Sequence, residues 1–212
     1  MALKLFLDGL KELDISLDAT QQQQFETYIN ELKLFNPTYR LVASNDDDFI
    51  AHHLLDCAAP SKLLSEYGKS ICDVGSGGGL PGIVLAILLR DKNFVLVERS
   101  AKRCGFLRNV VTLCNLSAKV EIVEKDLKEI KDKFSLVTFR AVSPLQDIVE
   151  DLEKILKDGG VIFAYKGKKE ELDKELASLT SIKQTKVVPI KVPFSDVERN
   201  IVIIGGIENE FY

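Results

Sequence analysis

The chain has 212 residues, with 28 Lys+Arg against 32 Asp+Glu and a formal net charge of −4. Hydrophobic residues make up 46% and charged residues 28%, which excludes intrinsic disorder and leaves room for one main core with a small appendage, not two enzymatic domains. The acidic balance excludes a surface that grips nucleic acid all over, while leaving open a local basic patch.

The first segment reads helical. Leu3, Phe6, Leu7, Leu10 and Leu13 recur at three- and four-residue spacing, one apolar helical face. Phe25, Ile29, Leu32 and Phe35 continue such a face after the Gln21–Gln24 run, with Asp18 or Thr20 as N-cap and Pro37 as the expected stop. The four glutamines are expected to be too short a run to matter. Asn45 or Asp46 caps a third helix through Phe49, Ile50, His53, Leu54 and Cys57, up to Pro60. Residues 1–68 are therefore expected to form a helical segment docked on a core of residues 69–212.

From Ser70 the pattern changes to short apolar strands alternating with helices. Strands are expected at Ser70–Val74, Phe94–Val97, Val120–Val123, Leu136–Phe139 and Val161–Tyr165. Helices are expected at Leu80–Leu89, Lys102–Leu113, Leu145–Leu156 (ending on Asp158-Gly159-Gly160) and near Glu170–Leu179. Two last strand-like runs, Lys186–Val192 and Asn200–Ile204, make an antiparallel pair at one edge, where Pro189 and Pro193 are tolerated. The fold class is α/β, a seven-stranded, mostly parallel, Rossmann-like sheet with helices on both faces and an N-terminal helical extension.

The longest apolar run, Gly82–Leu89, is far too short to span a bilayer, and the N-terminus lacks a signal-peptide apolar region. Cys57, Cys72, Cys104 and Cys114 form no CxxC pair, and His52 and His53 are adjacent. Reduced thiols acting as small apolar residues, no metal and a cytoplasmic monomer are the expectation.

Chemistry concentrates in Asp73-Val74-Gly75-Ser76-Gly77-Gly78-Gly79-Leu80-Pro81-Gly82, between a strand and a helix. Gly77-x-Gly79-x-x-Gly82 matches the dinucleotide fingerprint, whose helix terminus receives a pyrophosphate. The competing pattern, Asp73-x-Gly75-x-Gly77-x-Gly79, puts a carboxylate at the strand end. That suits S-adenosylmethionine, which has a cationic amino acid head and no phosphate. Glu98, ending the second strand, can accept hydrogen bonds from ribose hydroxyls in either class. Asp126-Leu127-Lys128, after the third strand, is the expected adenine contact.

These residues and their flanks resemble the small-subunit ribosomal RNA methyltransferase G family, formerly glucose-inhibited division protein B. The matching pieces are His53-Leu54-Leu55-Asp56, the Asp73–Gly82 loop, Val97-Glu98-Arg99-Ser100-Ala101-Lys102-Arg103 and Phe106-Leu107. Phe139-Arg140-Ala141, Tyr165-Lys166-Gly167 and Glu198-Arg199-Asn200-Ile201-Val202-Ile203 follow in the expected order. The resemblance implies a class I S-adenosylmethionine-dependent methyltransferase acting on N7 of a guanine in the 530 loop of 16S rRNA, free or in the small ribosomal subunit. It carries cofactor contacts onto Gly75, Leu80, Leu127, Lys128 and Arg140; Asp73, Gly77 and Glu98 follow from the fold argument. Many members have Tyr-Asn-Leu-Thr where this chain has Tyr39-Arg40-Leu41-Val42, a departure in the first segment.

Guanine N7 carries a lone pair in the ring plane, so alignment suffices and no general base is required. Arg140, after the fourth strand, is the expected catalytic residue; its guanidinium can meet guanine O6, a phosphate or the cofactor carboxylate. Lys102, Arg103, Lys166 and Arg199 lie toward the ligand edge of such a sheet and are the expected substrate-binding cations. His53 shares its helical face with Phe49, Ile50 and Leu54 and reads as a packed, hydrogen-bonded histidine. Rival readings are a same-fold methyltransferase with another substrate, an NAD(P)-dependent oxidoreductase and a non-catalytic ribosome-assembly factor.

Overall fold

The structure, a computed structural model, describes residues 1–178 and 184–205. Seven strands form one sheet: β1 (Ser70–Val74), β2 (Asn93–Val97), β3 (Val120–Val123), β4 (Phe134–Arg140), β5 (Leu156–Lys166), β6 (Thr185–Ile190) and β7 (Arg199–Ile204). Their order is β3-β2-β1-β4-β5-β7-β6. The first five strands pair in parallel, and β7 runs antiparallel between β5 and β6. Pro189 therefore sits in the edge strand β6, where a missing donor is tolerated.

Four helices precede the sheet: α1 (Ala2–Glu12), α2 (Ala19–Tyr39), α3 (Asp47–Ala58) and α4 (Ser61–Ser65). Two more, α5 (Gly82–Leu88) and α6 (Ala101–Leu113), complete the helical layer on the same face. Phe6, Phe25, Leu32 and Leu54 share one apolar core with Ile83, Phe106 and Ile71: α2 and α3 bury their apolar faces on α5 and α6, and α1 packs on α2 and α3. On the opposite face α7 (Leu145–Lys154) and α8 (Lys169–Ala177) close a second core over Cys72, Val137 and Ala164. The alternation within β1 divides the two: Ile71 faces one core, Cys72 and Val74 the other. Leu179, the expected end of the last helix, lies outside the described residues.

Three expectations are corrected. Pro37 does not end α2, which continues to Tyr39 and stops at Arg40 in the left-handed region, φ 51°. Proline at 37 leaves the Lys33 carbonyl without its helical donor, and the Asn45 side-chain amide donates to it at 3.1 Å instead. The glutamine run ties the N-terminal helices down. Gln21 closes a capping box with Asp18 and donates to the Ile87 carbonyl at 2.9 Å, and Gln24 donates to the Cys114 carbonyl at 2.7 Å. Finally, Asp158-Gly159-Gly160 is a bulge inside β5, because β4 pairs Phe134 with Leu156 but Leu136 with Val161. A Cβ on Gly160 would lie 2.9 Å from the Lys157 carbonyl and 3.0 Å from that of Phe134, both backbone atoms, so glycine is needed there.

Candidate active site

The glycine loop is built on alternation. Gly75, Gly77 and Gly79 take φ of 69°, 56° and 89°, a conformation that L side chains resist, so the Asp73-x-Gly-x-Gly-x-Gly spacing is what the backbone uses. The loop is tied to the end of β2: Gly75 N–H donates to the Val97 carbonyl at 2.8 Å and Gly77 N–H to Glu98 Oε2 at 3.0 Å. From behind, the hydroxyl of Tyr28 in α2 donates to the Gly78 carbonyl at 2.7 Å. A Cβ on Gly75 would lie 2.6 Å from Val142 Cγ2, so its bare backbone lets the loop after β4 close over it.

Between these loops lies a cleft of about 370 Å³. Gly75 forms its floor, Glu98 its β2 side, and Leu127 and Lys128 its β3 side, in a one-turn 3-10 helix capped by Asp126. Val142 and Ile148 add apolar walls. Glu98 is 5% exposed, and its two oxygens accept from the backbone N–H groups of Gly77 and Ser100, leaving further lone pairs for a ligand hydroxyl.

The dinucleotide reading fails at the helix end. Gly82 N–H, where a pyrophosphate would dock, already donates to Asp73 Oδ2 at 3.0 Å, and Leu80 and Ile83 N–H donate to the Ser76 and Gly79 carbonyls. Burial pushes the Asp73 carboxyl up to about 7, and its Oδ1 is fully buried with no partner among the described residues. Asp73 is thus a cap beneath the loop and does not line the cleft.

A second pocket of about 480 Å³ adjoins the first and shares Ala141, Val142 and Ser143 with it. Arg140 ends β4 there, and Ala141 follows it with φ 54°, turning the chain sharply between the two cavities. Arg140 Nη1 donates to Asp56 Oδ2 at 2.8 Å and contacts His53 Nδ1 at 2.9 Å; Arg199 Nε donates to Asp56 Oδ1 at 2.9 Å. Burial, helped by the Arg140 charge, pushes His53 down to about 4, so its Nδ1 is free to accept. Phe49 packs edge-on against the His53 ring at 4.4 Å between centroids.

The structure brings Gly75, Glu98, Arg103, Leu127 and Lys128 to the first cavity and Arg140, Lys166 and Arg199 to the second. Asp73, Gly77, Leu80 and Lys102 line neither; Leu80 is buried in the core. The cations are less free than their spacing suggests. Lys166 pairs with Glu175 at 2.7 Å and lies over the Phe139 ring, Arg199 pairs with Asp56, and Arg103 stands 3.9 Å from Glu98. The cysteines are buried, and burial raises Cys57 to about 12 and Cys114 to about 11, far from a reactive thiolate. Sequence reasoning assigned no site role to Asp56, Val142 or Tyr165. Asp56 sits three residues after His53, a helical spacing that put it within reach of the same partner; Val142 carried no local signal.

The sheet has the fold of known methyltransferases. A SAM-dependent O-methyltransferase from Thermotoga maritima superposes with a TM-score of 0.56 at 16% identity, covering 74% of this chain and 66% of that one. The tRNA (m1A58) methyltransferase TrmI of Aquifex aeolicus gives 0.55 at 16% identity, over 71% and 68%. In sequence, the ribosomal RNA small subunit methyltransferase G of Borrelia turicatae is 32% identical over 199 residues, 92% of this chain and 96% of the relative. That of Francisella tularensis subsp. tularensis is 34% identical over 198 residues, 92% and 93%. Residues 21–202 match the rRNA small subunit methyltransferase G family, and the chain belongs to it.

Proposed function

We propose that this enzyme transfers a methyl group from S-adenosylmethionine to N7 of a guanine in the 530 loop of 16S rRNA. The observation that carries the reading is the pair of adjoining cavities, one with a buried carboxylate for hydroxyls, the other with a half-buried arginine, meeting at Ala141–Ser143. The first cavity fits an adenosyl group: Glu98 for the ribose hydroxyls, Leu127 and the backbone of Lys128 for the adenine, and the bare backbone at Gly75 for the amino acid end. When bound, S-adenosylmethionine supplies an electrophilic methyl on a positively charged sulfur.

The protein's part is alignment. Among the described residues Nε and Nη2 of Arg140 hold no protein partner, and they are not sealed off, since Asp73 Oδ1 is the one buried unpaired side-chain atom there. Those donors match the O6 acceptor on the guanine major-groove edge and would turn N7 toward the junction of the cavities. A guanine must leave its stack to enter. Residues 1–68 serve as a helical segment that completes the second cavity through His53 and Asp56, on a catalytic domain of residues 69–212. Lys102 and Arg103 at the start of α6 add phosphate contacts at the same edge.

Incubation with labelled S-adenosylmethionine and 16S rRNA, or small subunits, from cells lacking the enzyme tests this. The expected result is one methyl group mapped to guanine N7 in the 530 loop. Label on another base, or no transfer together with tight nicotinamide binding, overturns it.

A further inference from the structure

We propose that Asp56 is the positioning residue of the substrate pocket, holding Arg140 and Arg199 in one fixed arrangement that the target nucleotide completes; this rests on the function proposed above. Asp56 is 8% exposed and comes from α3, outside the sheet that carries both arginines. Its carboxylate divides evenly: Oδ2 accepts from Arg140 Nη1 at 2.8 Å and Oδ1 from Arg199 Nε at 2.9 Å. His53, one helical turn earlier, meets the same Arg140 nitrogen at 2.9 Å, and Phe49 braces its ring.

One anion against two cations leaves the pocket with an excess positive charge. A fully matched buried pair would be electrically complete; this cluster is not, and the missing partner is electron-rich. The guanidinium that is less exposed, Arg140 with 16% of its side chain accessible, faces inward toward a base edge. Arg199, at 32%, stands at the rim, where a phosphate passes. Without Asp56 the two cations would repel each other and swing outward, so the base edge would lose its fixed donor.

The test is Asp56→Asn in the full chain, with Asp56→Glu beside it. The expected result for Asp56→Asn is a fall in kcat of about 100-fold, the scale of a misaligned reacting group. Affinity for S-adenosylmethionine stays unchanged, because Asp56 lies outside the first cavity, and RNA affinity does not weaken, because a negative charge is lost. Asp56→Glu restores charge balance and thermal stability but leaves kcat about tenfold low, since its carboxylate is one methylene out of place. A purely structural role predicts otherwise: cofactor affinity, stability and kcat fall together in Asp56→Asn and recover together in Asp56→Glu, and that pattern overturns the proposal. So does turnover within about threefold of the parent. If the parent enzyme transfers no methyl to RNA, the function fails and arginine side-chain NMR decides Asp56 alone. Slow guanidinium rotation at Arg140 and Arg199 that becomes fast in Asp56→Asn supports positioning, and unchanged rotation overturns it.

Discussion

In the cleft above β1 and β2 the fixed points are main-chain atoms: Gly75 on the Val97 carbonyl, Gly77 on Glu98, Gly82 on Asp73. In the pocket beyond β4 the fixed points are side-chain charges drawn from three elements, with Asp56 between Arg140 and Arg199. A ligand common to many enzymes can be held by a local loop whose shape comes from glycines and a sheet edge. A particular RNA base needs donors at defined angles, and these are set by side chains that only the folded chain brings together.

The largest expected effect breaks the charge-built pocket alone. Arg140→Ala should keep the fold and S-adenosylmethionine binding while lowering kcat about 100- to 1,000-fold, the range for loss of a single aligned donor. Near-parental turnover on the correct RNA would remove Arg140 from the reaction. The converse change strikes the backbone-built cleft. Gly75→Ala combines a positive φ with a Cβ 2.6 Å from Val142, and should weaken S-adenosylmethionine binding roughly tenfold or more, about 1.4 kcal/mol per decade. Calorimetric titration measures it, and unchanged affinity would show that the cradle at Gly75 is not used.

The pH response sets the two regions against each other. Asp73 has its folded pKa raised to about 7, so its stabilising contribution is complete below about 3.8 and is lost as pH rises through 7. His53, depressed to about 4, contributes above about 6.5 and loses that as pH falls toward 4. Denaturant melts at pH 5 and 8 should therefore show Asp73→Asn relatively more stable at pH 8 by up to about 3 kcal/mol, with a smaller, opposite change for His53→Gln. Equal stability differences at the two pH values would show that neither group titrates with folding. The smallest effect is expected at the rim. Neutralising Lys102 and Arg103 together should weaken RNA binding severalfold and lower the salt slope by about 1 to 2, with kcat unchanged. An unchanged slope takes them out of the footprint.

The glycine loop was legible because its signal is contiguous: ten residues, an acidic strand end and alternate glycines state the backbone geometry directly. Glu98 and the Asp126–Lys128 turn were legible for a related reason, since parallel strands deliver their C-terminal loops to one edge. Arg140 could be placed after β4 but not given its partners. Asp56 lies 84 positions from Arg140 and 143 from Arg199, spacings that no local pattern encodes. The same distance effect misled the reading of Pro37, rescued by Asn45, and of the glutamines, which find carbonyls in α5 and beyond α6.

Length and composition set one main core and a mildly acidic balance, and the order of short apolar runs determined an α/β fold with a mostly parallel sheet and a ligand edge, because hydrophobic period and turn chemistry are local properties. Tertiary structure alone decided that the N-terminal helices lend a carboxylate to the site. Coulomb attraction acts through space rather than along the chain, so Asp56 meets Arg140 and Arg199 only when α3 packs beside α5 and the sheet sets β4 and β7 on either side of β5.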